Sequence, residues 1–145
     1  MKNTGDPEDR KEIYSTEKFI LLGEDDVDDQ EILEEIFTSV APSFRLQFIN
    51  NGKKLVLHLE ETKDERLPCL ILLDYNMPEL NGAEILETLN GNQRLQRVPK
   101  IIWSTSNAPA YKRTCLELGA SDYLVKPSKI NALEEIVRHI VSYCN

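Results

Sequence analysis

The sequence predicts an α/β domain: a parallel sheet of five strands with five helices divided between its two faces. From Phe19 onward, short apolar runs alternate strictly with segments whose apolar residues recur every three or four positions. Three of those runs are apolar throughout rather than at every second residue, as strands covered on both faces are. Length agrees, because 145 residues make one domain, and such a chain buries about 70% of the surface it exposes when unfolded.

Residues 1–17 are polar, mixed in charge and poor in groups to bury, and are read as a flexible leader; residues 18–145 form the domain. Phe19-Ile20-Leu21-Leu22 is the first central strand. The stripe of Ile32, Leu33, Ile36, Phe37 and Val40 predicts the first helix. Leu46-Gln47-Phe48-Ile49 is less apolar and belongs at a sheet margin, closed by the turn Asn50-Asn51-Gly52 before a second helix over 53–60. The charged run 61–66 reads as solvated surface. Cys69-Leu70-Ile71-Leu72-Leu73 is the second central strand, and Asn81 opens a third helix carrying Ile85, Leu86 and Leu89. Ile101-Ile102-Trp103 is the third central strand, and residues 108–118 fill the fourth helical gap before Gly119 turns the chain. Tyr123-Leu124-Val125 is the other marginal strand, and Leu133, Ile136, Val137, Ile140 and Val141 stripe the last helix. Right-handed crossovers join parallel strands in this alternation.

Seventeen Lys and Arg stand against 25 Asp and Glu, a net charge of −8 at pH 7. That is the wrong sign for holding nucleic acid or an anionic membrane. No apolar run approaches the roughly 20 residues of a membrane span, and the first seven residues lack a signal peptide's apolar stretch. A cytoplasmic protein with neither nucleic-acid nor membrane partners is expected. Cys69, Cys115 and Cys144 are odd in number, widely spaced and without CxxC, which predicts three reduced thiols and no zinc.

In open sheets of this kind, ligands bind beyond the carboxyl ends of the strands. Those ends carry Glu24, Asp25 and Asp26, then Asp74, then Ser104 and Thr105, then Lys126 followed by Pro127. Converging carboxylates repel one another unless a cation neutralises them, and an oxygen-rich set of two or three suits Mg²⁺. A hard cation beside a lysine and a hydroxyl is equipment for handling phosphoryl groups. Neither GxxxxGK[ST] nor GxGxxG is present, and both histidines, His58 and His139, fall within helices. The candidate nucleophile is therefore a carboxylate, and Asp74, alone at the end of the most apolar strand, is the choice.

Gly23-Glu24-Asp25-Asp26, Asp74-Tyr75-Asn76-Met77-Pro78 with Gly82, Ser104, and Gly119-Ala120 before Tyr123-Leu124-Val125-Lys126-Pro127 together resemble the signature set of bacterial response-regulator receiver domains. The resemblance covers about residues 18–143. Thirty residues separate Asp74 from Ser104 and twenty-two separate Ser104 from Lys126, as in that family, which selects Ser104 over Thr105 as the switch hydroxyl.

The resemblance implies a flavodoxin-like doubly wound sheet of order 2-1-3-4-5. It implies that Asp74 accepts a phosphoryl group from a sensor histidine kinase or phosphorelay protein. Asp25, Asp74 and the Asn76 carbonyl would ligate Mg²⁺, with Glu24 reaching it through water. Asp26 reads equally as a cap for the first helix. Lys126 and Ser104 would bind the phosphoryl oxygens, with Thr105 beside them. Pro127 would follow a cis peptide bond. Tyr123 would turn inward on switching, or simply pack as an edge-strand aromatic.

Such a domain is a two-state switch read out on the fourth helix, fifth strand and fifth helix. With no output domain after Asn145, it is expected to act alone on a downstream protein, as a monomer or a phosphorylation-linked dimer. It would catalyse only its own phosphorylation and dephosphorylation. An aspartyl-nucleophile phosphatase of the haloacid-dehalogenase type wants a second Asp where Asn76 stands. A phosphorylation-independent binding module is disfavoured by the joint presence of Asp25, Asp74, Ser104 and Lys126.

Overall fold

Five strands lie side by side in one parallel sheet among residues 18–144, the part of the chain that the computed structural model describes. They are β1 (Phe19–Gly23), β2 (Arg45–Ile49), β3 (Leu70–Asp74), β4 (Lys100–Ser104) and β5 (Asp122–Val125), in the order β2-β1-β3-β4-β5. Pairing is in register along the sheet, with Leu22 opposite Leu72 and Leu72 opposite Ile101. The crossovers are α1 (Val27–Val40), α2 (Gly52–Glu61), α3 (Gly82–Asn90) and α4 (Pro109–Glu117), and α5 (Ile130–Val141) closes the domain. The expected fold class and element order are therefore found, and the leader, 1–17, lies outside the described residues.

Burial follows the apolar pattern. Every residue of β3 and β4 is buried, while the margins β2 and β5 are partly open. Alternate residues of each strand face opposite sides. Leu21, Ile71, Leu73 and Ile102 pack under α2 and α3 with Leu55, Leu59, Ile85 and Leu89. Ile20, Leu22, Leu72, Ile101 and Trp103 pack under α1 and α5 with Leu33, Phe37, Leu133, Val137 and Ile140. Each such side chain contributes about 1.5–3 kcal/mol on leaving water. Helix starts are set by side chains: Asp26 accepts from Asp29 N–H, Asn51 from Lys54 N–H, and Asn81 and Glu84 form a reciprocal capping box. The chain turns into α2 beneath the loop after β3, where a Cβ on Gly52 would overlap the Leu80 carbonyl oxygen. The charged run after α2 is exposed apart from half-buried Thr62 and contains a 3₁₀ turn at Asp64–Arg66.

The thiol expectation is corrected. Cys69 and Cys144 form a disulfide, with Cα atoms 5.3 Å apart, and Cys115 is the free cysteine among the described residues. Cys69 immediately precedes β3 and Cys144 follows α5, so the closing helix brings together residues 75 apart in the chain. Number and local spacing of cysteines carry no information about that approach.

Candidate functional site

Strand alternation decides which side chains meet. Leu22, Leu72 and Trp103 point toward α1 and α5, so Glu24 and Asp74, two residues on, emerge on the same side at the carboxyl edge. Leu124 packs on that side too, and Lys126 continues it from β5. The opposite side, under α3 and α4, receives Tyr123 with Ile102, and with them Ser104.

On the first side, Lys126 Nζ donates to Asp74 Oδ2 at 2.7 Å and lies 3.3 Å from Asp29 Oδ2 and 3.4 Å from Glu24 Oε1. It also stands 4.8 Å from the Trp103 ring centroid. Asp74 is buried, and its Oδ1 accepts from the Asn76 N–H at 3.0 Å. Glu24 is 0% exposed. Its carboxylate accepts from Asp26 N–H at 3.2 Å, and its backbone is held by Ile49 O and the Gln30 side chain. Asp25 is exposed, yet one oxygen each from Glu24, Asp25 and Asp74 fall within 4.8 Å of one another.

One ammonium does not balance these acids. Burial, and then the neighbouring Asp74 charge, push the Glu24 carboxyl up to about 8, with Lys126 only partly offsetting them. For Lys126, burial works against the charge, but the bond to Asp74 and the charges of Asp74, Glu24 and Asp29 outweigh it and hold the ammonium above its ordinary pKa. A buried glutamic acid that keeps its proton for want of positive charge is what a divalent cation would relieve. The donors are hard oxygens, so the set fits such an ion.

On the second side, Ser104 is 1% exposed and its Oγ accepts from Ser106 N–H at 3.1 Å. Tyr123 is 4% exposed and its hydroxyl donates to Ser106 O at 2.8 Å. Tyr75, next to Asp74 in the chain, stacks on Tyr111 of α4 with ring centroids 5.3 Å apart.

The structure thus gathers Glu24, Asp25, Asp74 and Lys126, and places Ser104 and Tyr123 together across the sheet through Ser106. Asp26 is exposed and caps α1. Thr105 is exposed. The cis bond at Pro127 is corrected: among the described residues no peptide bond is cis. Trans is the lower-energy form by about 0.5–1 kcal/mol for a bond to proline. Lys126 is aimed inward without it, because its N–H donates to Ser104 O at 2.7 Å and extends the β5 pairing. Sequence reasoning missed Asp29 and Trp103 as partners of Lys126. Asp29 lies in the first turn of a helix that starts at the acidic edge, a position from which a second acid can face back. Trp103 shares its side of the sheet with Lys126, a relation that strand parity alone discloses.

An open α/β sheet whose carboxyl edge clusters acids around one lysine, with a buried serine and tyrosine across it, defines a phosphoacceptor switch domain. The chain belongs to the response regulator receiver domain family, whose model matches residues 20–138. Receiver domains are signalling domains phosphorylated on an aspartate, working between histidine kinases or phosphotransfer proteins and downstream targets. The two-component response regulator ORR3 of Oryza sativa subsp. japonica is 27% identical over 131 residues, covering 90% of this chain and 96% of its own. The phosphorylated cyanobacterial phytochrome response regulator RcpA superimposes with a TM-score of 0.79 at 25% identity, over 89% of this chain and 94% of that one. The Mn²⁺-bound response regulator Rcp1 does so with a TM-score of 0.75 at 29% identity, over 86% and 92%. Relatives thus include a plant protein as well as a cyanobacterial one. No helix among the described residues is long and apolar enough to cross a membrane.

Proposed function

We propose that Asp74 is the phosphoacceptor and that its phosphorylation switches the contacts of this domain with a downstream protein. The observation that carries this reading is the 2.7 Å bond from Lys126 Nζ to Asp74 Oδ2 inside a cluster of carboxylates. An Asp74 oxygen attacks the phosphorus of a phosphohistidine on a sensor histidine kinase or phosphotransfer protein. The P–N bond breaks, the imidazole leaves with the electron pair, and water later returns the carboxylate. Lys126 binds a phosphoryl oxygen, and the Ser104 hydroxyl moves to donate to another, drawing the Thr105–Ser106 segment with it and letting Tyr123 follow.

Mg²⁺ is the proposed ion, with Asp25, Asp74 and the Asn76 carbonyl as ligands and Glu24 acting through water. When bound, it neutralises charge on the transferring phosphoryl oxygens. Catalysis is confined to the domain's own phosphorylation and dephosphorylation. A cytoplasmic setting, no nucleic-acid partner, and a monomer or phosphorylation-linked dimer complete the reading, supported by the acidic net charge and the kinase partnership of the family.

The test is intact-mass spectrometry after incubation with acetyl phosphate, with and without Mg²⁺, on wild type and Asp74→Asn. One Mg²⁺-dependent phosphoryl addition that vanishes in the variant is expected. Undiminished addition to Asp74→Asn would overturn the assignment.

A further inference from the structure

We infer that Trp103 is a positioning residue for Lys126, its buried indole forming an aromatic floor that keeps the ammonium over the acceptor while its charged partners change. The inference rests on the proposed role of Lys126 as the phosphoryl-binding lysine.

Lys126 Nζ stands 4.8 Å from the indole centroid, inside the roughly 6 Å range over which a ring face attracts a cation. The ring itself is fixed. Trp103 is 4% exposed in the core under α1 and α5, beside Ile101 and Leu133. Its backbone is pinned on both sides: Trp103 pairs with Asp74 across β3 and with Leu124 across β5, and its carbonyl accepts the Tyr75 N–H at 3.0 Å. Lysine is a flexible four-carbon stem with a point charge at its end, so something must restrict it.

Its ionic partners are Asp74, Asp29 and Glu24. Phosphorylation converts the Asp74 carboxylate into an acyl phosphate, and cation binding draws on Glu24 and Asp74. Among the groups around Nζ, neither event alters Asp29 or the indole, and of these two Asp29 is partly open to solvent on α1 whereas the indole is buried and fixed. The indole holds the ammonium before and after transfer, so Lys126 need only shift within the site to meet a phosphoryl oxygen. An aliphatic residue would fill the same core space without this attraction, which separates positioning from packing.

The chain has one tryptophan, and this supplies a direct optical readout. Without phosphodonor, replacing Lys126 by the uncharged, similarly shaped methionine should change the intensity or wavelength of Trp103 emission relative to wild type. In phosphoryl uptake from acetyl phosphate, Trp103→Phe should keep most of the rate, and Trp103→Leu should lose about fivefold or more. Mg²⁺ affinity should be the same in wild type, Trp103→Phe and Trp103→Leu. Equal rates in the Phe and Leu variants, with both folded, would overturn the inference. If Trp103→Leu fails to fold, the emission test decides, and unchanged emission in Lys126→Met counts against the floor. Wild-type uptake that persists in Asp74→Asn would instead refute the acceptor assignment and leave the emission result standing on its own.

Discussion

The Tyr123 hydroxyl donates to Ser106 O at 2.8 Å, tying β5 to the segment that begins at Ser104. Ser104 Oγ accepts from the N–H of that same Ser106 at 3.1 Å. Movement of the Ser104 hydroxyl toward a phosphoryl group must therefore disturb the residue that anchors Tyr123. Tyr123→Phe removes the bond while keeping the ring in the core. It should cost about 0.5–1.5 kcal/mol of stability in denaturant titration. It should also reduce the difference in partner affinity between phosphorylated and unphosphorylated protein, measured by calorimetry once a target is in hand.

Glu24 links the site to pH. Its folded pKa is raised to about 8 from an ordinary 4.5, so between those values the folded chain binds more protons than the unfolded one. Stability of the metal-free protein should fall as pH rises across that interval, and Glu24 should contribute no further slope above it. A divalent cation competes with that proton. Calorimetric Mg²⁺ titration at pH 7 in two buffers of different ionisation enthalpy should show release of roughly one proton. The release should disappear at about pH 9.5, where the carboxyl is already ionised.

The parts that local pattern governs were readable from the chain. β3 is apolar at four of its five positions and β4 at its three central ones, and both are buried throughout, and Asn81 caps α3 as its position suggests. α4 is the weak case, since only Cys115 of its nine residues is buried, and its place followed from filling a gap rather than from a stripe. The site was readable in outline because strand ends converge by topology. What stayed hidden depends on approach between elements. Asp29 meets Lys126 through the way α1 sits over the edge of the sheet, and Cys69 meets Cys144 through closure of α5. Neither has a signature within a short window of sequence. The cis proline was an expectation from resemblance, and the β5 pairing of Lys126 makes it unnecessary.

The disulfide bears on stability and on compartment. It closes a loop between residues 75 apart, and breaking such a link costs about 2–4 kcal/mol. Reduction, or Cys144→Ser, should lower the thermal midpoint by roughly 10 °C for a domain of this size. Alkylation in denaturant without reductant should label Cys115 alone, and after reduction all three cysteines, as read by intact mass. Since a cytosolic environment keeps thiols reduced, the same assay on protein quenched directly in cells reports the state in which the domain operates.

Lys126 is the cation shared by Asp74, Glu24 and Asp29, so its removal separates electrostatic from catalytic roles. In Lys126→Ala the buried acids lose their counter-charge, and the metal-free protein should unfold at a lower temperature than wild type. Mg²⁺ should bind at least as tightly, because repulsion with the ammonium is gone, and saturating Mg²⁺ should restore part of the lost stability by mass action. Phosphoryl uptake from acetyl phosphate should nevertheless stay slow, by about tenfold or more, since the ion does not replace a hydrogen-bond donor aimed at the phosphoryl oxygen. Thermal unfolding across a Mg²⁺ series, run beside intact-mass uptake, checks both halves. Uptake at the wild-type rate with stability restored would confine Lys126 to balancing charge and remove it from the transfer step.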